Sequence, residues 1–90
     1  MVRRMRLVKA RHLDKCGYVC QGALEIGHKP HRVSTPDEPS YTHNQELTVD
    51  HVVPIARGGS KTSATNMRVV CFKANQQLTR TSFMGGGSGA

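Results

Sequence analysis

The sequence has no apolar run long enough to cross a bilayer, and it has few acidic residues. A membrane-spanning protein is therefore not expected, and the basic N-terminus lacks the apolar segment of a secretory signal. Thirteen lysines and arginines against six acidic residues leave a formal net charge of +7. Such an excess favours a polyanionic partner, most simply nucleic acid. The alternative is a basic surface that serves only solubility.

Cysteine is also scarce, with only Cys16, Cys20 and Cys71. An odd number of cysteines argues against a disulfide framework and indicates a reducing cytoplasm. Ninety residues give one small domain with a thin core, which a covalent or metal staple would help. The three cysteines could bind zinc with His28 or His31 as the fourth ligand. The alternative that we prefer is that they are small buried hydrophobic residues.

The pattern of apolar residues predicts an α+β domain in residues 1–84, followed by a flexible Gly/Ser tail in residues 85–90. Residues 1–15 hold six basic side chains and an apolar stripe at helical spacing. This predicts a basic helix that contacts phosphates, packs on the core, or does both. Residues 27–46, rich in proline and polar residues, predict a surface loop with solvated histidines at positions 28, 31 and 43. Strands are predicted at 47–53 and 67–71, and a helix at 72–82.

The stretch Leu47 to Asn75 concentrates the residues that could do chemistry. Hydrolysis of a phosphodiester needs a base near neutral pH, which His51 can supply. It also needs a hard divalent cation, which takes carboxylate and amide oxygens such as those of Asp50 and Asn75. In a regular strand, Asp50 and His51 point to opposite faces, so we expect the strand to end or bulge there. Asp50 could also be a strand-end turn former, Asn66 a cap and Asn75 a surface amide.

With Pro54 and Gly58-Gly59 in the intervening loop, this stretch resembles the ββα-metal (His-Me finger) site of the HNH endonuclease family. The resemblance implies a phosphodiester hydrolase that uses one Mg²⁺ or Mn²⁺ ion. It makes Asp50 and Asn75 the metal ligands and His51 the general base. Asn66 would brace the loop between the strands and help to hold the base. The products would carry a 3′-hydroxyl and a 5′-phosphate.

Many HNH domains also carry two Cys-x-x-Cys pairs that hold a structural zinc ion. In this sequence the second position of each pair is an alanine, Ala23 after Cys20 and Ala74 after Cys71. We expect these four residues to fill the volume of that zinc site with apolar packing, so that no structural zinc is bound.

The resemblance further implies DNA as the partner, a bacteriophage or mobile-element origin and the cytoplasm of a bacterial host as the location. A phage terminase or another DNA-processing protein is among the partners it allows. Two other functions stay open at this point. One is a non-catalytic nucleic-acid-binding module on a degenerate HNH fold, and the other is a small zinc-knuckle interaction protein without a nucleic-acid role.

Overall fold

The computed structural model describes the backbone of residues 2–89 and the side chains of residues 4–80. Its α+β architecture confirms the predicted fold class. Over the described residues, the helices and strands in chain order are α1 (Val2–Cys16), β1 (Val19–Cys20), β2 (His31–Arg32), β3 (Leu47–His51), β4 (Met67–Cys71) and α2 (Phe72–Gly89). Among these residues, no helix meets the length and hydrophobicity that a membrane crossing requires.

The antiparallel hairpin β3–β4 is the centre of the fold, because both helices pack against it. Its register runs from the pair Leu47–Cys71 to the pair His51–Met67. β-Branched and other apolar side chains favour these strands, and most of β4 is buried. β4 has the predicted bounds, whereas β3 ends at His51, two residues before the predicted end. It ends there because the next two backbone N–H groups both donate to Asn66, at 2.8 Å.

The basic helix α1 confirms the predicted N-terminal helix and presents two different sides. Val8 and Leu13 pack against the core, and the buried ring of His12 donates to the carbonyl of Val19. Lys9 pairs with Glu46 at 3.3 Å. Four other basic side chains are exposed, namely Arg4, Arg6, Arg11 and Lys15. The helix therefore both packs on the core and offers positive charge to the solvent.

The segment between the first and third strands is more ordered than a surface loop. Residues 31–32 form β2, which pairs with β1, and Val33 is buried in the core. Residues 28–36 contain only one residue of the apolar types, Val33, so neither the pairing nor the burial follows from a local pattern.

Helix α2 begins directly after β4 and places Ala74 and Leu78 in the core, as predicted. It continues past the predicted end at Ser82 to Gly89. The helix thus includes most of the stretch predicted as a flexible tail, whose last residue lies outside the described backbone. The domain boundary at residue 84 stays a prediction.

Candidate functional site

The half-buried ring of His51 is held by the loop that follows β3. Its Nε2 atom lies 3.1 Å from the carbonyl oxygen of Lys61. A carbonyl oxygen only accepts hydrogen bonds, so Nε2 must carry the proton in the neutral ring. The lone pair of the neutral imidazole is therefore on Nδ1. That is the arrangement that a general base needs.

The side chain of Asn66 fixes the same loop. Its Oδ1 accepts from the Val53 N–H at 2.8 Å, and its Nδ2 donates to the carbonyls of Val53 at 3.0 Å and Ser60 at 2.9 Å. Ser60 directly precedes Lys61, whose carbonyl holds His51. Asn66 therefore holds the backbone next to the carbonyl that contacts His51.

Gly59 is required where this loop passes close to its own start. A Cβ atom on Gly59 would lie 1.8 Å from the carbonyl oxygen of Val53 and 2.9 Å from Nδ2 of Asn66. No side chain fits into that space, so any other residue would force the backbone apart. The close approach explains one glycine of the Gly-Gly pair in the motif.

Asp50 faces Arg68 across the hairpin, and the two side chains form a partly buried ion pair. Nε and Nη2 of Arg68 both donate to Oδ2 of Asp50, at 3.2 Å each. Within the part of the chain that the structure describes, no group donates to the other oxygen, Oδ1. Asp50 therefore keeps one carboxylate oxygen for a further ligand.

Arg68 also bonds Glu25, with Nη1 of Arg68 3.1 Å from Oε1 of Glu25. The bonds from Arg68 hold the pKa of the Glu25 carboxyl below its ordinary value. Glu25 in turn, and Asp50 after it, raise the pKa of the Arg68 guanidinium. The guanidinium is thus clamped between two carboxylates and keeps a fixed position beside Asp50.

Asn75 lies on α2 and reaches back to β3. Its Nδ2 donates to Oγ1 of Thr48 at 2.7 Å. The hydroxyl proton of Thr48 goes to the carbonyl of Val70 at 3.0 Å, so Oγ1 must accept from Asn75. This fixes the orientation of the amide. Among the described residues, its oxygen Oδ1 has only a long contact with Thr79, at 3.4 Å, and it can serve as an oxygen ligand.

The two candidate metal ligands lie toward the same face of the hairpin. Thr48 and Asp50 share one face of β3, and Asn75 contacts Thr48. His51 starts from the opposite face, at the last position of the strand. Among the described residues, no hydrogen bond joins Asp50, His51 and Asn75 directly. The sequence predicted that β3 would end or bulge near Asp50 and His51, and the strand does end at His51.

A groove of about 540 Å³ lies beside Asn75. It is formed by residues of β3 and α2, namely Thr48, Phe72, Asn75, Gln76, Thr79 and Arg80. Arg80 gives this groove a positive charge next to the candidate site.

A family model described as HNH endonuclease matches residues 14–81, well over half of the chain. The chain belongs to the HNH endonuclease family. The match contains all four of the residues singled out above, namely Asp50, His51, Asn66 and Asn75. Membership suggests nuclease activity on DNA with a divalent metal. A search of curated proteins and a search of solved structures each give no significant match.

The structure of this HNH domain also brings four other side chains together. The ligand atoms of Cys20, His28, His31 and Cys71 all lie within 4.8 Å of one another. Cys16 is exposed and is not part of this group. The expectation that the loop histidines have no partners is thus wrong for positions 28 and 31, because the β1–β2 pairing folds their loop back onto the cysteines. His31 is nevertheless exposed, as expected.

The alanines of the two incomplete pairs are buried as expected, at 2% exposed for Ala23 and 0% for Ala74. Together with Cys20 and Cys71 they belong to the hydrophobic core, in agreement with the expected apolar packing. In addition, the rings of His28 and His31 lie beside the two cysteines.

Sequence reasoning missed Arg68, Glu25 and the Lys61 carbonyl. Arg68 could have been found from the hairpin register, because it lies directly opposite Asp50. Two histidines three residues apart, His28 and His31, are a spacing that metal sites use. The composition of the segment did not distinguish such a site from an ordinary polar loop. The Lys61 carbonyl is a backbone group and has no signal in the sequence.

Proposed function

We propose that this HNH protein is a metal-dependent DNA endonuclease in which His51 is the general base and Asp50 and Asn75 hold one divalent cation. The observation that carries the proposal is the bond from Nε2 of His51 to the Lys61 carbonyl at 3.1 Å. It leaves Nδ1 as the basic atom of the neutral ring.

The chemistry of the available atoms fits a hard cation such as Mg²⁺ or Mn²⁺. Asp50 offers a carboxylate oxygen without a protein donor among the described residues, and Asn75 offers an amide oxygen with one long contact. Mg²⁺ needs few protein ligands because it keeps several waters. When bound, such an ion acts as a Lewis acid that neutralises negative charge on the phosphorane and on the leaving 3′-oxygen.

His51 carries the proton transfer. Nδ1 removes a proton from a water molecule as its oxygen forms a bond to phosphorus, and the bond from phosphorus to the 3′-oxygen breaks on the opposite side. The 3′-oxygen takes a proton from solvent, so the products carry a 3′-hydroxyl and a 5′-phosphate. The Lys61 carbonyl stabilises the imidazolium that forms, because it accepts the bond from Nε2–H.

Asn66 is a positioning residue in this proposal. Its three hydrogen bonds hold the backbone at Val53 and Ser60, next to the carbonyl that orients His51. It does not touch the reacting atoms.

DNA is the substrate that the charge distribution favours. The exposed basic side chains of α1 and Arg80 in the groove beside Asn75 suit phosphate contacts. Backbone contacts carry no sequence information, so we expect weak sequence preference and an affinity that falls steeply with salt. A bacteriophage origin, a terminase or other DNA-processing partner and a bacterial cytoplasm rest on the sequence resemblance and stay predictions.

The test is nicking of supercoiled plasmid by the untagged protein with Mg²⁺, with Mn²⁺ or with EDTA. We expect metal-dependent nicking by the wild type and none detectable by His51→Ala, since loss of a general base typically costs about 10²- to 10⁴-fold in rate. Both proteins should retard DNA equally. His43→Ala is the matched control, because His43 is an exposed histidine whose ring contacts Phe72 and none of the proposed catalytic or metal-binding residues.

Equal cleavage by His51→Ala would overturn the assignment of the base. Retardation of DNA by the wild type with no cleavage in either metal would favour the non-catalytic binding module instead.

A further inference from the structure

We propose that Cys20, His28, His31 and Cys71 form a Cys2His2 zinc site that staples the domain, separate from the catalytic cation. The proposal does not depend on nuclease activity. Its ligand set differs from two Cys-x-x-Cys pairs, because the second position of each pair is an alanine in this chain. Two ligands come instead from the loop at residues 28–31.

The spacing of the four ligand atoms suits a tetrahedral ion. Zinc bound at about 2.3 Å by sulfur and about 2.0–2.1 Å by nitrogen separates its ligand atoms by about 3.3–3.8 Å. Here Sγ of Cys71 lies 3.6 Å from Nε2 of His28 and 3.9 Å from Nε2 of His31. The two Nε2 atoms are 3.0 Å apart. These three separations are within about 0.4 Å of that range. All four ligand atoms lie within 4.8 Å of one another, so the widest separation has to close by up to about 1 Å when the ion binds.

The backbone holds the ligands in place before any ion binds. Cys20 and His31 are direct partners in the β1–β2 pairing, and Ala23 forms an isolated bridge with His28. Gly22 makes this possible, because a Cβ there would lie 2.6 Å from the carbonyl oxygen of His28. The backbone N–H of Cys71 lies 3.3 Å from Sγ of Cys20, so the sulfur also accepts a hydrogen bond of the kind that supports metal thiolates.

The second ring nitrogen of His31 supports the same role. Its Nδ1 lies 3.2 Å from the carbonyl oxygen of Arg32, which can only accept. Nδ1 therefore carries the proton, and the lone pair on Nε2 points toward the cluster. Metal-binding histidines are usually oriented by such a bond to a backbone carbonyl.

The electrostatics of the cluster favour uncharged groups when no cation is present. Burial, and then the proximity of Cys20, raise the pKa of the Cys71 thiol. Burial, and then the charges of His31 and Lys73, lower the pKa of His28. A divalent cation would reverse this preference for the thiols, which it deprotonates, and would agree with it for imidazole, which it binds in the neutral form.

The donor types separate this site from the candidate catalytic centre. Two sulfur and two nitrogen donors select zinc, whereas the oxygen donors of Asp50 and Asn75 select Mg²⁺ or Mn²⁺. The staple would join the first strand, the 28–31 loop and the junction of β4 with α2. These segments are far apart in sequence, and a domain of this size has little core of its own.

The test is the metal content of untagged full-length protein, purified without added metal and measured by atomic emission. We expect about one zinc ion per chain in the wild type and in the control variants Cys16→Ser and His43→Asn. Cys71→Ser and His31→Asn should lose most of it. Asp50→Ala should keep it, which distinguishes this site from the catalytic one even if the protein proves not to cut DNA.

Replacement of zinc by cobalt gives a second readout. It tests the wild type and a variant that keeps four ligands, so it remains informative if the variants that lose a ligand fold poorly. Co²⁺ added to zinc-free wild type should give tetrahedral d–d absorption with a thiolate-to-metal charge-transfer band. His28→Cys keeps four ligands, so it should still bind cobalt, with a stronger charge-transfer band. Three outcomes would overturn the proposal: no zinc and no tetrahedral cobalt spectrum in the wild type, equal zinc loss in Cys16→Ser, or a metal-free Cys20–Cys71 disulfide in the purified protein.

Discussion

Arg68 donates two hydrogen bonds, both at 3.2 Å, to the same carboxylate oxygen of Asp50, its direct partner across the β3–β4 hairpin. Arg68 is 14% exposed and Asp50 is 19% exposed, so water screens this pair only partly. The proposed metal ligand therefore already has a counter-charge on one side. Its other side is free of donors among the described residues.

This relationship gives Arg68 two opposing effects on the proposed cation. The guanidinium orients the carboxylate, which favours binding, and its positive charge repels a second cation, which disfavours binding. When Arg68 is present, its guanidinium and the proposed metal cation both interact with the carboxylate of Asp50. When Arg68 is absent, no described side chain forms an ion pair with the half-buried carboxylate of Asp50, and a bound cation would take over that role.

The first prediction follows from that exchange. Arg68→Met should lower the free energy of unfolding by about 1–3 kcal/mol without metal, because Asp50 is left unpaired in a partly buried position. Added Mg²⁺ should then raise the melting temperature of the variant more than that of the wild type, since binding to the folded state stabilises it. Thermal melts with and without Mg²⁺ measure both effects, with the exposed Arg57→Met as the control. Equal Mg²⁺ shifts in variant and wild type would contradict the prediction.

The second prediction concerns the pH dependence that Glu25 contributes. Arg68 holds the pKa of Glu25 below its ordinary value of 4.5 in the folded protein. A lowered carboxyl pKa stabilises the fold at pH values above 4.5, and the contribution is lost as the pH falls through the folded value. The side chain of Glu25 is 46% exposed, so the contribution should be small, about 0.2–1 kcal/mol.

Glu25→Gln should therefore melt below the wild type near neutral pH. The difference should begin to shrink below pH 4.5 and should vanish once the pH is below the folded pKa of Glu25. Melts of both proteins from neutral to acidic pH check this. Glu38→Gln is a control for a carboxylate paired with another arginine, Arg32, away from the site. A difference that grows on acidification would show that the Glu25–Arg68 pair is not its source.

The hairpin was predictable because its information is local. An apolar, β-branched run, a proline and a glycine pair fix two strands and a loop, and β4 has the predicted bounds. The end of β3 at His51 was harder to predict from the sequence, because it depends on hydrogen bonds from Val52 and Val53 to Asn66. Those bonds join residues on either side of a loop, and no window of sequence contains their geometry.

The cluster of Cys20, His28, His31 and Cys71 shows the same limit more strongly. Cys20 and Cys71 are 51 positions apart, and they meet only because β1 passes beside β4. The histidines join them only because β2 pairs with β1 over two residues. A strand of two residues shows no alternation of apolar and polar residues. The sequence therefore favoured a solvated loop.

The third prediction separates the positioning role of Asn66 from a role in metal binding. Asn66→Asp keeps the shape of the side chain but removes the Nδ2 donor to the carbonyls of Val53 and Ser60. The loop that orients His51 should loosen, and the single-turnover cleavage rate should fall by about 10- to 100-fold, since small misplacements of catalytic groups are costly. The Mg²⁺ concentration for half-maximal rate should stay unchanged.

Asp50→Ala is the matched comparison for that experiment. Loss of a proposed ligand should both lower the rate and raise the Mg²⁺ concentration for half-maximal rate. If Asn66→Asp shifted the Mg²⁺ titration as far as Asp50→Ala does, Asn66 would have to be reassigned to the metal site.

The fourth prediction compares the two adjacent glycines of the loop. Gly58 has a positive φ of 90° but open space at its Cβ position, so Gly58→Ala should cost only the left-handed backbone penalty of about 1–2 kcal/mol. Gly59 lacks that space, with the Val53 carbonyl oxygen 1.8 Å from the Cβ position. Gly59→Ala must therefore push apart the loop that Asn66 and Lys61 use to hold His51.

We expect Gly59→Ala to reduce plasmid cleavage far more than Gly58→Ala does. Urea unfolding of both variants measures the loss in the free energy of unfolding. Cleavage rates measured at urea concentrations well below the unfolding midpoint measure the loss of catalysis. The comparison is informative because both variants add a methyl group to neighbouring residues. Only the methyl group at position 59 would clash with the backbone. Equal cleavage by two equally stable variants would mean that the loop does not set the position of His51, and the bond to Lys61 would then lose its role in the mechanism.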